Sequence, residues 1–317
     1  MPIATGRDFY PDTVLSNVAI NYQPNGLVAP DVAPIVAVNK QSGYFPVWDM
    51  ADTLRVENDR RAPATEANVI TRGVSNSTYF CQNYALKEKL PLEDRQNMDG
   101  AYQYELRAGR VQYLTSKLTL NWEMRLANLC TNPANVGGSA AATTPWSNTA
   151  ADPAADIWQA IENIQGNTGY KPNSILFSRE AWYNFRKHSN VCHLCWGNAG
   201  EGKPRYASQE QVAAMFELDR VLVSQADYNK NAEGLAPQMS TVWGGNVLVY
   251  YAPMTPSLAE PSFMYSFRWR RPDIPDMQAE VHPFDTKTKC EEVEVGYYQD
   301  EKITAQNLGY LISNTAA

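Results

Sequence analysis

The chain has 317 residues, of which 44% are hydrophobic and 11% aromatic, and its formal net charge is −7. This composition is that of a folded protein of one or two domains with a sizeable core, and it excludes a largely disordered chain. The acidic balance, with no basic block, argues against tight, sequence-independent binding to nucleic acid, which needs a basic surface.

The remaining composition excludes several other classes. Five cysteines, odd in number and irregularly spaced, together with no secretory signal pattern, predict reduced thiols and a soluble protein in the cytosol after synthesis. No apolar run approaches the roughly 20 residues of a membrane span, so no membrane partner is expected. Neither G-x-S-x-G nor H-E-x-x-H occurs, and the sequence predicts no enzyme, no cofactor and no metal site.

Residues 1–41 alternate short apolar stretches with prolines. Because Pro24, Pro30 and Pro34 disfavour a long helix, we predict an extended N-terminal arm. Such an arm would pack along other parts of the protein or along neighbouring copies.

A long polar hairpin follows over residues 42–85. It rises through 43–48, reaches a charged tip, and returns through 75–80. A segment so polar cannot bury enough of its own surface to be stable alone. Taken alone, the tip also fits an exposed loop that its charges keep soluble, but with the arm and the helix beside it we predict a contact with another subunit. The predicted contact residues are Leu54, Arg55, Glu57, Asp59, Arg60 and Arg61.

One long helix is predicted over residues 99–130, after a strand end and turn at 86–94. Asn97 or Asp99 can cap its start, and no proline interrupts it. At 1.5 Å per residue it would be about 48 Å long. Apolar residues step along it by three or four and predict a single buried stripe. The stripe consists of Tyr104, Val111, Leu114, Leu118, Trp122 and Leu126.

After a predicted loop at 137–152, helices and strands alternate. Pro153 opens a helix that runs to about Gln165, Ser178 caps the next helix, and a capping box at 208–211 opens a third. The predicted strands are 174–177, 220–223, 246–251, 263–269, 290–298 and 302–312. The predicted fold class is α+β with a mixed sheet.

The sequence contains one phosphate-loop pattern. Gly197–Lys203 has the G-x-x-x-x-G-K spacing, but Pro204 stands where a Ser or Thr would hold magnesium, and no apolar strand precedes it. We therefore predict a flexible surface loop there, with a nucleotide site as the alternative.

Two further groups have a chemical and a structural interpretation. Cys192 and Cys195 form a C-x-x-C near His188, but no second pair at a matching spacing completes a zinc site, so small buried residues near a loop are favoured. Glu291, Glu292 and Glu294 follow a predicted strand and favour a solvated strand face over an acid/base pair.

The order of these elements resembles the major capsid proteins of tailed bacteriophages, the Hong Kong 97-type fold. In that family an N-terminal arm precedes an extended loop, a long spine helix and an axial domain, and the chain then returns to the peripheral domain. The resemblance covers nearly the whole chain in order. It rests on Leu15–Ala19, Tyr22–Val28, Arg61–Thr65, Leu86–Arg95, Leu118–Glu123 and Asn173–Ser178.

The resemblance implies a domain division. The arm is 1–41, the extended loop 42–85, the peripheral domain with the spine helix 86–134, the axial domain 135–285, and the return to the peripheral domain 286–317.

The resemblance also implies a function. The protein would self-assemble, as hexamers and pentamers, into an icosahedral head that encloses packaged double-stranded DNA, which it contacts only weakly and without specificity. It would be located in the virion after assembly in the host bacterial cytoplasm. Portal and decoration proteins are implied as partners, and a separate scaffolding protein is expected because the arm begins almost at Met1. The alternatives are an encapsulin-like nanocompartment shell, or a nucleotide-binding enzyme that uses Gly197–Lys203.

Overall fold

The structure is a computed structural model that describes residues 11–22, 24, 26–48, 54–70, 73–97, 102–196, 206–258, 260–271 and 274–316. Its helices are α1 (Thr13–Asn21), α2 (Ala29–Val32), α3 (Leu92–Gln96), α4 (Tyr102–Cys130), α5 (Pro153–Thr168), α6 (Arg179–Lys187), α7 (Ser189–Trp196) and α8 (Gln209–Phe216). Its strands are β1 (Ile35–Val38), β2 (Ser42–Trp48), β3 (Val74–Phe80), β4 (Gln82–Pro91), β5 (Gly138–Ala141), β6 (Ser174–Ser178), β7 (Arg220–Ser224), β8 (Asp227–Asn229), β9 (Met239–Thr241), β10 (Val247–Tyr250), β11 (Met264–Trp269), β12 (Gln278–Asp285), β13 (Cys290–Ile303) and β14 (Gly309–Ser313).

Two five-stranded sheets carry the fold. The first has the order β1-β11-β13-β12, and β4 also pairs with β13; the second has the order β5-β14-β10-β6-β7. Parallel pairs (β1 with β11, β5 with β14, β6 with β7) occur beside antiparallel ones in both sheets. The predicted α+β class with mixed sheets is confirmed.

The long helix α4 packs against one face of the long strand β13, and the two share a hydrophobic core. Val293, Val295 and Tyr297 alternate along β13, so they point to one face of the sheet. They pack with Val111, Leu114 and Leu118 of α4 and with Leu15 and Ala19 of α1. The arm was predicted to be extended, but residues 13–21, which contain no proline, form the helix α1. Asp12 caps this helix, because its side chain accepts from two backbone N–H groups.

The predicted buried stripe of the long helix differs from the structure at its start. Val111, Leu114, Leu118, Trp122 and Leu126 are each at most 4% exposed, whereas Tyr104 is 46% exposed. The described side chains of residues 102–110 are all exposed or half-buried, so the buried part of the stripe begins at Val111. Helical spacing alone does not show where along a helix its cover begins.

The second sheet has its own core, and the sequence predicted most of its elements. The capping box at Ser208 and Gln211 is present, and the Ser178 hydroxyl accepts from the Ala181 N–H to cap α6. The region 137–152, predicted as a loop, contains the edge strand β5, which pairs with β14. Its Gly-Ser-Ala-Ala sequence has low strand propensity, so the pairing comes from tertiary structure.

The domain division remains a prediction, and strand pairing suggests different boundaries. Strands β11 and β12, inside the range 135–285, lie in the first sheet, together with β13. Strand β14, inside the range 286–317, lies in the second sheet. The chain thus crosses between the sheets near residue 260 and again near residue 305.

Candidate assembly site

The extended hairpin is anchored at its base by aromatic packing. Strands β2 and β3 pair antiparallel from Ser42 opposite Phe80 to Trp48 opposite Val74, as predicted. On one face Phe45 and Tyr79 lie against Phe267 of β11, with ring centroids 5.0 and 4.8 Å apart. On the other face Tyr44 is 76% exposed. The base is therefore fixed to the first sheet, while its outer face is open.

The tip of the hairpin is exposed throughout. All described residues from 54 to 70 are exposed, including the six predicted contact residues Leu54, Arg55, Glu57, Asp59, Arg60 and Arg61. The two tip arginines make short-range hydrogen bonds: Arg61 Nε donates to the Thr65 carbonyl at 2.5 Å, and the Arg60 N–H donates to Asn58 Oδ1 at 3.1 Å.

Apolar side chains in the same segment are also uncovered. Val56 is 96% exposed, Val69 90% and Ile70 68%. Leu54 differs, because it lies against the end of α5: an ideal Cβ at Gly169 would be 2.6 Å from Leu54 Cδ1. Elsewhere in the tip, Arg60, Val56, Val69 and Ile70 are exposed side chains that a surface outside this subunit could cover.

A groove lies beside the start of α4. It has a volume of about 510 Å³, and its lining residues are Glu88, Tyr102, Glu105, Leu106, Gly109, Arg110 and Tyr113. Glu88 Oε1 accepts from Arg110, but Glu88 Oε2 is buried without a hydrogen-bond partner. Tyr102 and Tyr113 are each more than half exposed. The groove therefore offers a carboxylate and two aromatic rings, groups that suit an arginine.

A buried carboxylate joins the arm, the long helix and the second sheet. Glu123 of α4 is fully buried. Its Oε1 accepts from the Ser224 hydroxyl at 2.7 Å and from Trp243 Nε1 at 2.8 Å, and its Oε2 accepts from the Val28 N–H at 2.8 Å. Burial raises the pKa of Glu123, and these hydrogen bonds oppose the rise. Three segments distant in sequence thus meet at one side chain.

Replacing Glu123 with glutamine tests these hydrogen bonds. In wild type both carboxylate oxygens accept hydrogen bonds, so the amide NH₂ of glutamine must face one of these donors. We expect the free energy of unfolding to fall by about 1–3 kcal/mol. The folded-state pKa of Glu123 is raised, so its contribution to stability is full below the ordinary value of 4.5 and is lost as pH rises through the folded pKa. Urea unfolding from pH 5 to 8 should therefore show the advantage of wild type over Glu123→Gln shrinking with pH; a widening gap would contradict the assignment.

The acidic strand β13 is more deeply paired than the sequence indicated. Glu291 was predicted on a solvated face, but its side chain is 7% exposed and its carboxylate binds Arg107 at 2.7 Å and Arg95 at 3.4 Å. Farther along, Glu301 accepts from Arg125 at 2.9 Å. Helix α4 supplies Arg107 and Arg125, so ion pairs tie the helix to the strand. The alternation of acidic residues along the strand did not reveal these ion pairs. The arginines of the long helix were the sequence feature that could have indicated them.

The sequence motifs with a chemical alternative give no constellation within the described residues. Gly197–Lys203 lies outside them. Cys192 and Cys195 lie half-buried on α7, and Cys192 Sγ donates to the Arg186 carbonyl at 3.4 Å. No group of three or more His, Cys, Asp or Glu residues able to hold a metal occurs in the described part of the chain. None of the described helices has the length and apolar character that crossing a membrane requires.

Comparisons with known proteins agree with this arrangement. The family model described as phage major capsid protein E matches residues 131–233. A major capsid protein of Burkholderia phage BcepMu is 23% identical over 285 residues, which cover 85% of this chain and 87% of that protein. A crystal structure of a phage-related protein from Bordetella bronchiseptica matches with a TM-score of 0.77 and 23% identity, covering 96% of this chain and 97% of that one. The capsid structure of cyanophage P-SCSP1u matches with a TM-score of 0.58 and 11% identity, over 100% of this chain and 93% of that one.

Proposed function

We propose that this chain, a phage major capsid protein with the Hong Kong 97-type fold, closes into an icosahedral head of hexamers and pentamers through its extended loop. The observation that supports the loop contact most is that every residue from 54 to 70 is exposed, charged and apolar alike. A monomeric protein rarely leaves such a segment uncovered. A neighbouring copy in a shell would cover it.

The receiving surface in this proposal is the groove beside α4 of the neighbouring copy. The exposed Glu105 of the groove, with Glu88 beside it, complements Arg60 and Arg61, and the exposed tyrosine rings can stack on a guanidinium. Desolvated arginine–carboxylate contacts of this kind fix register and partner choice as well as affinity. The loop tip would thus set how far one subunit is displaced from the next.

The net charge of −7 supports the contents we propose. An acidic shell does not retain a polyanion by counterion release, so double-stranded DNA would touch the inner wall only weakly and without specificity. We further propose a portal protein, a separate scaffolding protein and a decoration protein as partners, with assembly in the host bacterial cytoplasm. The capsid role requires no catalysis, and we propose that the chain is not an enzyme.

Electron microscopy of the expressed full chain tests the shell. We expect closed, uniform particles in negative stain, either from the chain alone or after co-expression with its scaffolding protein. Particles that form without the scaffolding protein and contain one specific co-purified host protein would favour the encapsulin-like alternative instead. Only monomers or small oligomers under both conditions would contradict the proposal.

A further inference from the structure

A cavity of about 280 Å³ lies between the N-terminal arm, helix α4 and the first sheet. The arm contributes Ile20 and Leu27 to its wall, α4 contributes Thr115 and Trp122, and β11 contributes Arg268. At about 30 Å³ for each water of the liquid, it has room for roughly nine waters. The cavity is therefore far larger than a packing defect.

Arg268 places a positive charge at this cavity without a counter-charge. It is 7% exposed, and its Nε and Nη2 both donate to one neutral acceptor, Gln299 Oε1, at 3.0 and 2.5 Å. Its guanidinium carbon lies 5.5 Å from the Trp122 ring centroid and 5.0 Å from that of Tyr297. Within the described residues, Nη1 has no hydrogen-bond acceptor and no carboxylate lies within 4.0 Å.

The acids nearest to Arg268 are paired with other cations. Glu301 binds Arg125 at 2.9 Å and Asp276 binds Arg270 at 2.6 Å. Asp31 lines the cavity but is exposed. A buried charge in proteins is normally paired, because an uncompensated one is strongly destabilising. Within the described residues, Arg268 therefore has no ion pair of its own. Glu301 reaches it only through Gln299, whose Nε2 donates to Glu301 Oε1.

Two further polar groups of the cavity wall lack partners. Thr115 Oγ1 and Trp122 Nε1 are both buried and make no hydrogen bond. Their residues are 1% and 4% exposed. The indole N–H can only donate and the hydroxyl can donate. The wall therefore combines a cation with apolar surface from Ile20 and Leu27. The unused donors of Thr115 and Trp122 belong to wall residues but are shielded from water, and small side-chain rotations would turn them to the cavity.

We propose that this cavity binds a small carboxylate with a short aliphatic stem. The carboxylate would accept from Arg268 and from the donors of Trp122 and Thr115, and the stem would lie against the apolar wall. Water alone would satisfy the donors but leave the cation without a counter-charge. The same chemistry has two sources, a free organic acid or an Asp or Glu side chain of a second copy in the shell. This site goes beyond the proposed loop contact and does not depend on it.

Thermal unfolding of the full chain with sodium butyrate as the probe tests the site. We expect a saturable rise in melting temperature with butyrate, and no such rise with butyramide or with sodium chloride at the same ionic strength. Arg268→Met should lose the response. Thr115→Val and Trp122→Phe, which each remove one donor at nearly constant shape, should each weaken the apparent affinity about tenfold. If Arg268→Met does not fold, these two variants and the butyrate–butyramide pair decide the outcome.

A high-resolution map of the assembled shell separates the two sources. Density for an acidic side chain of another copy at Arg268, with no butyrate response in the shell, would support the second source. An equal response to butyrate and butyramide would overturn the proposal. The proposal would also be overturned if the unassembled chain showed no response to butyrate and the shell map showed only water in the cavity.

Discussion

Replacing Leu114 with proline is expected to unfold the protein. Leu114 lies in the middle of α4, is 4% exposed and packs in the core shared with β13 and α1. Proline removes the hydrogen bond from residue 114 to the Arg110 carbonyl and clashes with that carbonyl, which costs about 3 kcal/mol or more. Loss of the buried leucine adds about 2–5 kcal/mol. The sum is comparable with the whole stability of a typical domain.

Two matched variants separate the causes. Leu114→Ala keeps the helix and removes only the packing, so it should cost about 2–5 kcal/mol and still fold. Gln112→Ala changes an exposed position two residues earlier and should shift stability by no more than about 0.5 kcal/mol. Urea unfolding followed by far-ultraviolet circular dichroism measures all three. A proline variant that folds and assembles like wild type would show that α4 does not organise the core as described.

The long helix and the hairpin were predictable from sequence because each has a local signal. Apolar steps of three and four mark the buried face of α4 from Val111 to Leu126, and the long polar run between Ser42 and Phe80 marks an excursion that goes out and returns as paired strands. The capping box at Ser208 is likewise local. The helix stripe and the capping box depend on residues within a few positions of one another, and the hairpin depends on two strands of one continuous segment, so no information on distant segments was needed.

The features that sequence did not reveal depend on long-range partners. Glu123 was part of a motif in the long helix, but its joining role rests on Val28, Ser224 and Trp243, which lie about a hundred residues away on either side. Arg268 stands in the sequence Arg268-Trp269-Arg270-Arg271, and the structure buries it at a cavity. A charged residue is assigned to the surface by default, and only the fold shows when it is an exception.

Helix α4 is the element that connects these separate features. Its first turns line the groove proposed to receive a neighbour's loop, its middle covers β13, and Glu123 and Trp122 near its end meet the second sheet and the cavity. A force applied at the groove by a neighbouring copy would therefore act on the same rigid helix that holds the two sheets together. The loop contact is for this reason the most informative place to interrupt assembly.

Reversing both charges in Arg60→Glu/Arg61→Glu is expected to leave a folded subunit that forms no shells. The two side chains are exposed, so stability should change by no more than about 0.5 kcal/mol. In the proposed contact, each reversed charge would face Glu88 or Glu105, and like charges at an interface cost several kcal/mol. Because every 1.4 kcal/mol is a tenfold loss in affinity and the contact repeats for each subunit, the yield of shells should fall by far more than tenfold.

The matched control Arg60→Lys/Arg61→Lys keeps both charges and should retain shells, with a yield below wild type because lysine cannot bind a carboxylate in bidentate fashion. Adding Glu105→Arg to the charge-reversed chain should restore part of the yield, since Glu105 is exposed on the groove wall. Sedimentation velocity and negative-stain microscopy count the shells, and thermal unfolding confirms that each subunit folds. Normal shells from the charge-reversed chain would exclude the tip arginines from the contact, whereas lost shells without rescue by Glu105→Arg would place their partner outside this groove.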